Sequence, residues 1–143
     1  MSEGAPSRLT TAQIQAHFDA SPFISFLGLR VISLDYESQT LTAVMPMRPE
    51  LERRAGSGQF NGGPIAALID VVGDFAVGML VGGGVPTINL RVDYLKPAVG
   101  RALAATARVR RIGRTVALVD VDVHDDQQAL VAVGRGTYSP QRG

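Results

Sequence analysis

Gly58-Gln59-Phe60-Asn61-Gly62-Gly63-Pro64-Ile65-Ala66-Ala67-Leu68-Ile69-Asp70-Val71-Val72-Gly73-Asp74-Phe75-Ala76-Val77-Gly78-Met79-Leu80 is a glycine-rich turn that runs into an apolar helix. Pro64 suits a first helical turn, where its missing N–H would be unpaired anyway, and Gly62-Gly63 ahead of it lets backbone approach a ligand closely. The helix is therefore expected to start at Gly63 or Pro64 and to run to Leu80, roughly 25 Å at standard rise. The most apolar stretch, Pro64 to Val85, is interrupted by Asp70 and Asp74 and contains several glycines, so it fails as a membrane span and reads as a buried helix. Gly73 and Gly78 each cost about 1 kcal/mol relative to alanine, which is tolerable where a sheet packs closely against them.

Strand-like runs lie on both sides of this helix. Leu29 to Glu37 and Thr40 to Met47 are β-rich and joined by Ser38-Gln39, as in a hairpin, and Pro46 and Pro49 end them. Glu50 to Gly63 is rich in charge, glycine and serine and reads as a loop. After Gly82-Gly83-Gly84, the run Thr87 to Leu95 alternates Ile88, Leu90, Val92 and Tyr94 with polar residues. Ala102 to Arg111 and Thr115 to His124 flank an Ile112-Gly113-Arg114 turn, and Asp125 to Gln128 leads into a last strand, Ala129 to Tyr138. Near the start, Thr10 with Gln13 forms a capping box for a short helix to about Ala20. Its narrow apolar face, Ile14 and Phe18, predicts a surface position, and Ser21-Pro22 its end. Hairpin spacing with one dominant helix predicts an α+β fold with an antiparallel sheet, not repeated βαβ units. The organisation expected is a flexible N-terminus over 1–9, a single domain over 10–139 and a tail over 140–143.

Composition narrows the chemistry. The chain has 143 residues, 45% hydrophobic and 19% charged, the profile of one globular domain. A net charge of +1 supplies no field that would recruit nucleic acid or an anionic membrane, so neither is expected as a partner. Without cysteine there is no disulfide framework, thiolate metal site or thiol nucleophile. That composition, and a start lacking the pattern of a secretory signal, lead us to expect a cytoplasmic protein.

The helix start leaves peptide N–H groups unpaired at a positive dipole end, a fit place for a carbonyl oxygen that becomes an oxyanion. Beyond it, Asp70 and Asp74 are the only ionisable residues of the helix, one turn apart. A carboxylate is rarely buried unless paired. Asp74 reads either as a solvated position or as part of a site. Asp70, set among Leu68, Ile69, Val71 and Val72, is the candidate base or nucleophile.

Gly58, Asn61-Gly62-Gly63, Asp70 nine positions after Asn61, Thr87 and the strand end Tyr94-Leu95-Lys96-Pro97 together resemble the phenylacetate-degradation-like branch of hotdog-fold acyl-CoA thioesterases. The likeness runs from about Pro22 to Tyr138, and includes Leu27-Gly28-Leu29 and the Pro46 strand end. It implies a hotdog fold, an antiparallel sheet wrapped around one long helix. It also implies pairing of chains into a dimer or dimer of dimers, with sites formed between subunits. The implied activity is hydrolysis of an aryl- or medium-chain acyl-CoA to acid and coenzyme A. In that reaction Asp70 acts directly or through water, the Gly62 N–H polarises the carbonyl, and Asn61 and Thr87 orient. Gly63 and Asp74 join as substrate-binding positions. No cofactor or metal is implied beyond the coenzyme A of the substrate.

Two positions depart from the family pattern. Asn61 stands where relatives usually have histidine, and Ala55 where they have asparagine. Asn61 can donate a hydrogen bond but cannot exchange a proton. The alternative function is therefore a protein that binds acyl-CoA or a small lipid-like ligand without turnover. Arg110, Arg111 and Arg114, with Arg108, are either the solvated side of a hairpin or a fork for coenzyme A phosphates. Gly56-Ser57-Gly58 lacks the outer glycines of a nucleophile elbow, and no Lys-Ser/Thr follows to make a nucleotide-binding loop. The only histidines, His17 and His124, lie outside the glycine turn and the long helix, and His124-Asp125-Asp126 reads as a polar turn.

Overall fold

The computed structural model describes residues 8–141, so the expected flexibility of 1–7 and the end of the tail lie outside the described residues. Helix α1, Thr11–Ala20, carries the expected capping box: Thr10 accepts from Gln13 N, and Gln13 reaches back to Thr10 N. It lies on the surface, held by Ile14 and Phe18, both fully buried. As expected, α1 ends at Ala20 with Ser21 as its C-cap, but a second helix follows at once. Ser21 also caps this one, α2 (Pro22–Leu27), by accepting from Ile24 N, with Pro22 at the first helical position. Leu9, expected within the flexible start, is buried and donates its N–H to the Met79 carbonyl at 3.0 Å.

Strands β1 (Arg30–Asp35) and β2 (Thr40–Pro46) form the expected hairpin, with Gln39 at φ 57° in its turn. Helix α3 covers Gly62–Val81, starting one residue before the earlier of the two expected positions. Strands β3 (Thr87–Tyr94), β4 (Ala102–Ile112), β5 (Ala117–His124) and β6 (Leu130–Tyr138) complete an antiparallel sheet of order β1-β2-β4-β5-β6-β3. The sheet wraps α3. Leu41, Ala43 and Met45 of β2, Leu103 and Ala105 of β4 and Val119 and Val121 of β5 face it, against Leu68, Ile69, Val72, Ala76 and Val77. Each fully buried Val, Leu or Ile contributes about 1.5–3 kcal/mol of hydrophobic stabilisation. By length and composition α3 could cross a membrane, yet here it is mostly buried inside the sheet.

Two glycines of α3 mark close approach. A Cβ on Gly73 would collide with the Tyr138 hydroxyl of β6, so the sheet does pack against that position. Gly78 is pressed by its own chain: a Cβ there would lie 2.6 Å from the Gly83 carbonyl oxygen, in the turn that ends the helix. The two edges of the sheet differ. At β1 the Gln15 side chain of α1 occupies Leu29 O (3.0 Å) and Val31 N (2.7 Å). Among the described residues, edge strand β3 carries no such cover and leaves Ile88 and Tyr94 more than half exposed.

Candidate active site

Asn61 is the N-cap of α3, its Oδ1 accepting from Gly63 N at 2.9 Å. The Gly63 N–H is thereby used by the cap, which narrows Gly63 to bare backbone lining the cleft. The Gly62 N–H, in the first turn, has no intrahelical partner by position. Tyr94, at the end of β3, donates its hydroxyl to the Gly62 carbonyl at 2.7 Å. Its ring lies so close that a Cβ on Gly62 would meet the hydroxyl at 3.2 Å, so any larger residue there requires the Tyr94 ring to give by a few tenths of an ångström. Sequence reasoning noted Tyr94 only as part of a strand end. Its contact with Gly62 depends on how β3 passes the helix start, which local pattern does not contain.

Asp70 lies about two turns further along. Its Oδ1 accepts from Thr87 Oγ1 at 2.8 Å, with the Tyr138 hydroxyl at 3.4 Å. Tyr138 also donates to the Asp70 backbone carbonyl at 3.1 Å. The Thr87 hydroxyl is thus a direct hydrogen-bond partner of the carboxylate. Tyr138 was missed by sequence reasoning; it stands 68 residues from Asp70 and is brought there only by the pairing of β6 with β3 and β5. Burial, then the charges of Asp70 and Asp74, raise its phenol well above the ordinary value, so it stays a donor.

Asp74 is partly buried, not a solvated position. Its Oδ1 accepts from Val85 N at 2.7 Å and ties the helix to the segment that leads into Thr87. Burial pushes its carboxyl up to about 7; the Val85 hydrogen bond works against this and the Asp70 charge adds to it.

The side chains expected in one site fall into two groups within a chain. Gly62 and Asp70 are eight residues apart on the helix, about 12 Å along its axis and roughly 80° around it. The first group is Asn61, Gly62, Gly63 and Tyr94, in a cleft of about 550 Å³ that also takes in Arg53 and Lys96. The second is Asp70, Asp74, Thr87 and Tyr138. The hairpin arginines join neither. Arg110 lies on the sheet face away from α3, 3.6 Å from Asp120, which Arg135 grips with two nitrogens at 2.7 and 3.0 Å. Arg111 and Arg114 are exposed at the β4–β5 hairpin, about 30 Å of extended strand from the start of β4 beside the Gly62 cleft. At the next turn Asp125 accepts from Gln127 N and Ala129 N, which accounts for the acidic cluster after His124.

Residues 57–132, running from the glycine turn through α3 and into β6, match the family model of the thioesterase superfamily. The chain belongs to the thioesterase superfamily. A Halobacterium salinarum protein provisionally named an esterase is 36% identical over 89% of both chains. An Escherichia coli relative, the medium/long-chain acyl-CoA thioesterase YigI, is 28% identical over 82% of this chain and 84% of that one. The structure of the E. coli PaaI protein, from the phenylacetic acid degradation operon, superposes with a TM-score of 0.78 at 25% identity, covering 90% of this chain and 91% of that one. The hotdog fold and the resemblance to the phenylacetate-degradation branch are borne out, and the protein is a thioesterase.

Proposed function

We propose that this thioesterase hydrolyses an aryl- or medium-chain acyl thioester of coenzyme A at a site formed by two copies of the chain. The observation that carries the reading is Asp70, a carboxylate midway along an apolar helix, aimed by the Thr87 hydroxyl at 2.8 Å. The acyl-CoA activity named for YigI supports the substrate class.

The need for two copies follows from distance. One carbonyl cannot touch Gly62 N–H and Asp70 across about 12 Å of helix. The uncovered β3 edge offers a solution, since an unpaired strand edge is a template for another strand. Antiparallel pairing of β3 with its own copy about Leu90 and Arg91 sets Thr87 of one chain opposite Tyr94 of the partner subunit. The carboxylate group of one chain then meets the glycine turn of the other.

At such a site Asp70 removes a proton from water while the water oxygen attacks the thioester carbonyl carbon. The partner's Gly62 N–H holds the resulting oxyanion. Collapse breaks the C–S bond, the acid is released and the thiolate of coenzyme A takes up the proton. If Asp70 attacks directly, an anhydride forms first and water then opens it; label from ¹⁸O-water in Asp70 after single turnover separates the two routes.

The test is thiol release from a panel of acyl-CoA thioesters with Asp70→Asn as control. A general base of this kind contributes about 10²–10⁴-fold. Equal rates for the two proteins overturn the role of Asp70. The second reading, binding without turnover, is favoured by one observation: Asn61 Oδ1 is committed to capping the helix. Acyl-CoA binding with no thiol release, converted to turnover by Asn61→His, is its expected signature.

A further inference from the structure

The loop between β2 and α3 is built to hold arginines at the mouth of the Gly62 cleft. Glu52 turns its carboxylate into the loop and accepts from Gly56 N at 3.1 Å and Gly58 N at 2.7 Å, bonds that hold its carboxyl below the usual range. Arg53 N donates to Gln59 O at 2.8 Å and Ser57 N to Arg54 O at 3.0 Å. The loop is joined to the segment after β3 through Phe60 N to Ala98 O at 2.8 Å and Gly100 N to Gly58 O at 3.1 Å. That segment carries Lys96.

Arg53 and Gln59 are shared by the Gly62 cleft and a second hollow of about 350 Å³, which adds Arg54 and Ser57. No carboxylate lines either. Arg53 and Arg54 make no ion pair among the described residues, and Lys96 is near enough to Asp125 only to help lower its carboxyl. The larger cleft on the outer sheet face, about 690 Å³, is different: Arg91, Arg108, Arg110 and Arg135 are interleaved there with three aspartates. Arg91 pairs with Asp93, and Arg110 and Arg135 with Asp120, which leaves less charge free for an added anion.

We propose that Arg53, Arg54 and Lys96 form a basic rim that binds the phosphates at the nucleotide end of coenzyme A, so that the cleft selects coenzyme A thioesters over phosphate-free thioesters. This rests on the reading of the cleft as the entry for such a thioester. It moves phosphate recognition from the β4–β5 hairpin to the rim of the glycine turn. An arginine fork suits phosphate oxygens, and a carboxylate-free wall leaves its charge uncompensated until the ligand arrives.

The test measures binding by calorimetry in low salt, with free coenzyme A, 4′-phosphopantetheine and pantetheine as probes, for the wild type and an R53A/R54A/K96A variant. All three side chains are exposed, so the variant is expected to fold, which its circular dichroism and melting check. The wild type is expected to bind coenzyme A at least about ten-fold more tightly than pantetheine, an advantage that added salt erodes. The triple variant should lose that advantage and keep its affinity for pantetheine.

Equal binding of coenzyme A and pantetheine by the wild type overturns the proposal, as does an unchanged preference in the variant or a matching loss for both ligands. 4′-Phosphopantetheine binding as tightly as coenzyme A overturns the nucleotide assignment. Loss of the preference in R110A/R111A/R114A, with the rim variant unaffected, returns the phosphates to the hairpin. Because binding is read without turnover, phosphate-dependent binding by a protein that releases no thiol keeps the rim and defeats the hydrolytic reading instead.

Discussion

Asp74→Asn should change how the stability of this protein depends on pH. In the native state the Asp74 carboxyl is pushed up to about 7 by burial, against an ordinary value of 3.8. The folded chain therefore holds a proton that the unfolded chain gives up between those values. Stability from this group is complete below about pH 4, declines as pH rises, and is gone once pH passes 7. At about 1.4 kcal/mol per pH unit, the whole interval is worth ~4 kcal/mol, of which ~3 kcal/mol falls between pH 5 and 8.

Asparagine keeps the oxygen that accepts from Val85 N and carries no charge at any pH, so its stability lacks this decline. Denaturant unfolding at fixed chain concentration, at half-unit steps from pH 5 to 8, reads the effect as a difference between the two midpoints. The variant should match the wild type near pH 5 and exceed it by up to ~3 kcal/mol at pH 8. Curves that stay parallel across the range refute the placement of a proton on Asp74. Asp70 contributes to the shift through its charge, so in Asp70→Asn the decline should end at lower pH and the total change be smaller.

Thr87→Val removes the hydroxyl that aims Asp70; thiol release should fall at least about ten-fold in kcat, because a hydrogen bond to a charged group is worth ~1.5–3 kcal/mol. Tyr94→Phe frees the Gly62 carbonyl and should cost ~1 kcal/mol in denaturant unfolding while raising KM. Gly78→Ala places a Cβ 2.6 Å from a backbone oxygen that cannot rotate away, so a loss of ~1–3 kcal/mol is expected, measured by thermal unfolding.

Much of this fold is legible in local pattern. β-rich runs bounded by turn residues mark β2, β4 and β5, each of which buries one face against α3, and the Thr10 capping box and Pro64 mark helix starts over only a few residues. The second helix was not anticipated, because Ser21-Pro22 ends one helix and begins another with the same two residues, Ser21 accepting from Ile24 N as Pro22 supplies the fixed φ.

By itself the sequence determined the helix, the hairpins, Gly62 at a helix start and Asp70 among apolar neighbours, whereas the hydroxyl at Thr87 was singled out through the family resemblance. The former depend on periodicity, capping and the cost of a carboxylate in apolar surroundings, all readable over a few residues. Only the tertiary structure decided that Tyr138 reaches Asp70, that Tyr94 covers Gly62, that Asp74 is drawn under Val85 and that the hairpin arginines lie away from the glycine turn. Those are contacts between chain segments brought together by strand order, and strand order is set by how the whole sheet closes on one helix, not by any neighbouring residue.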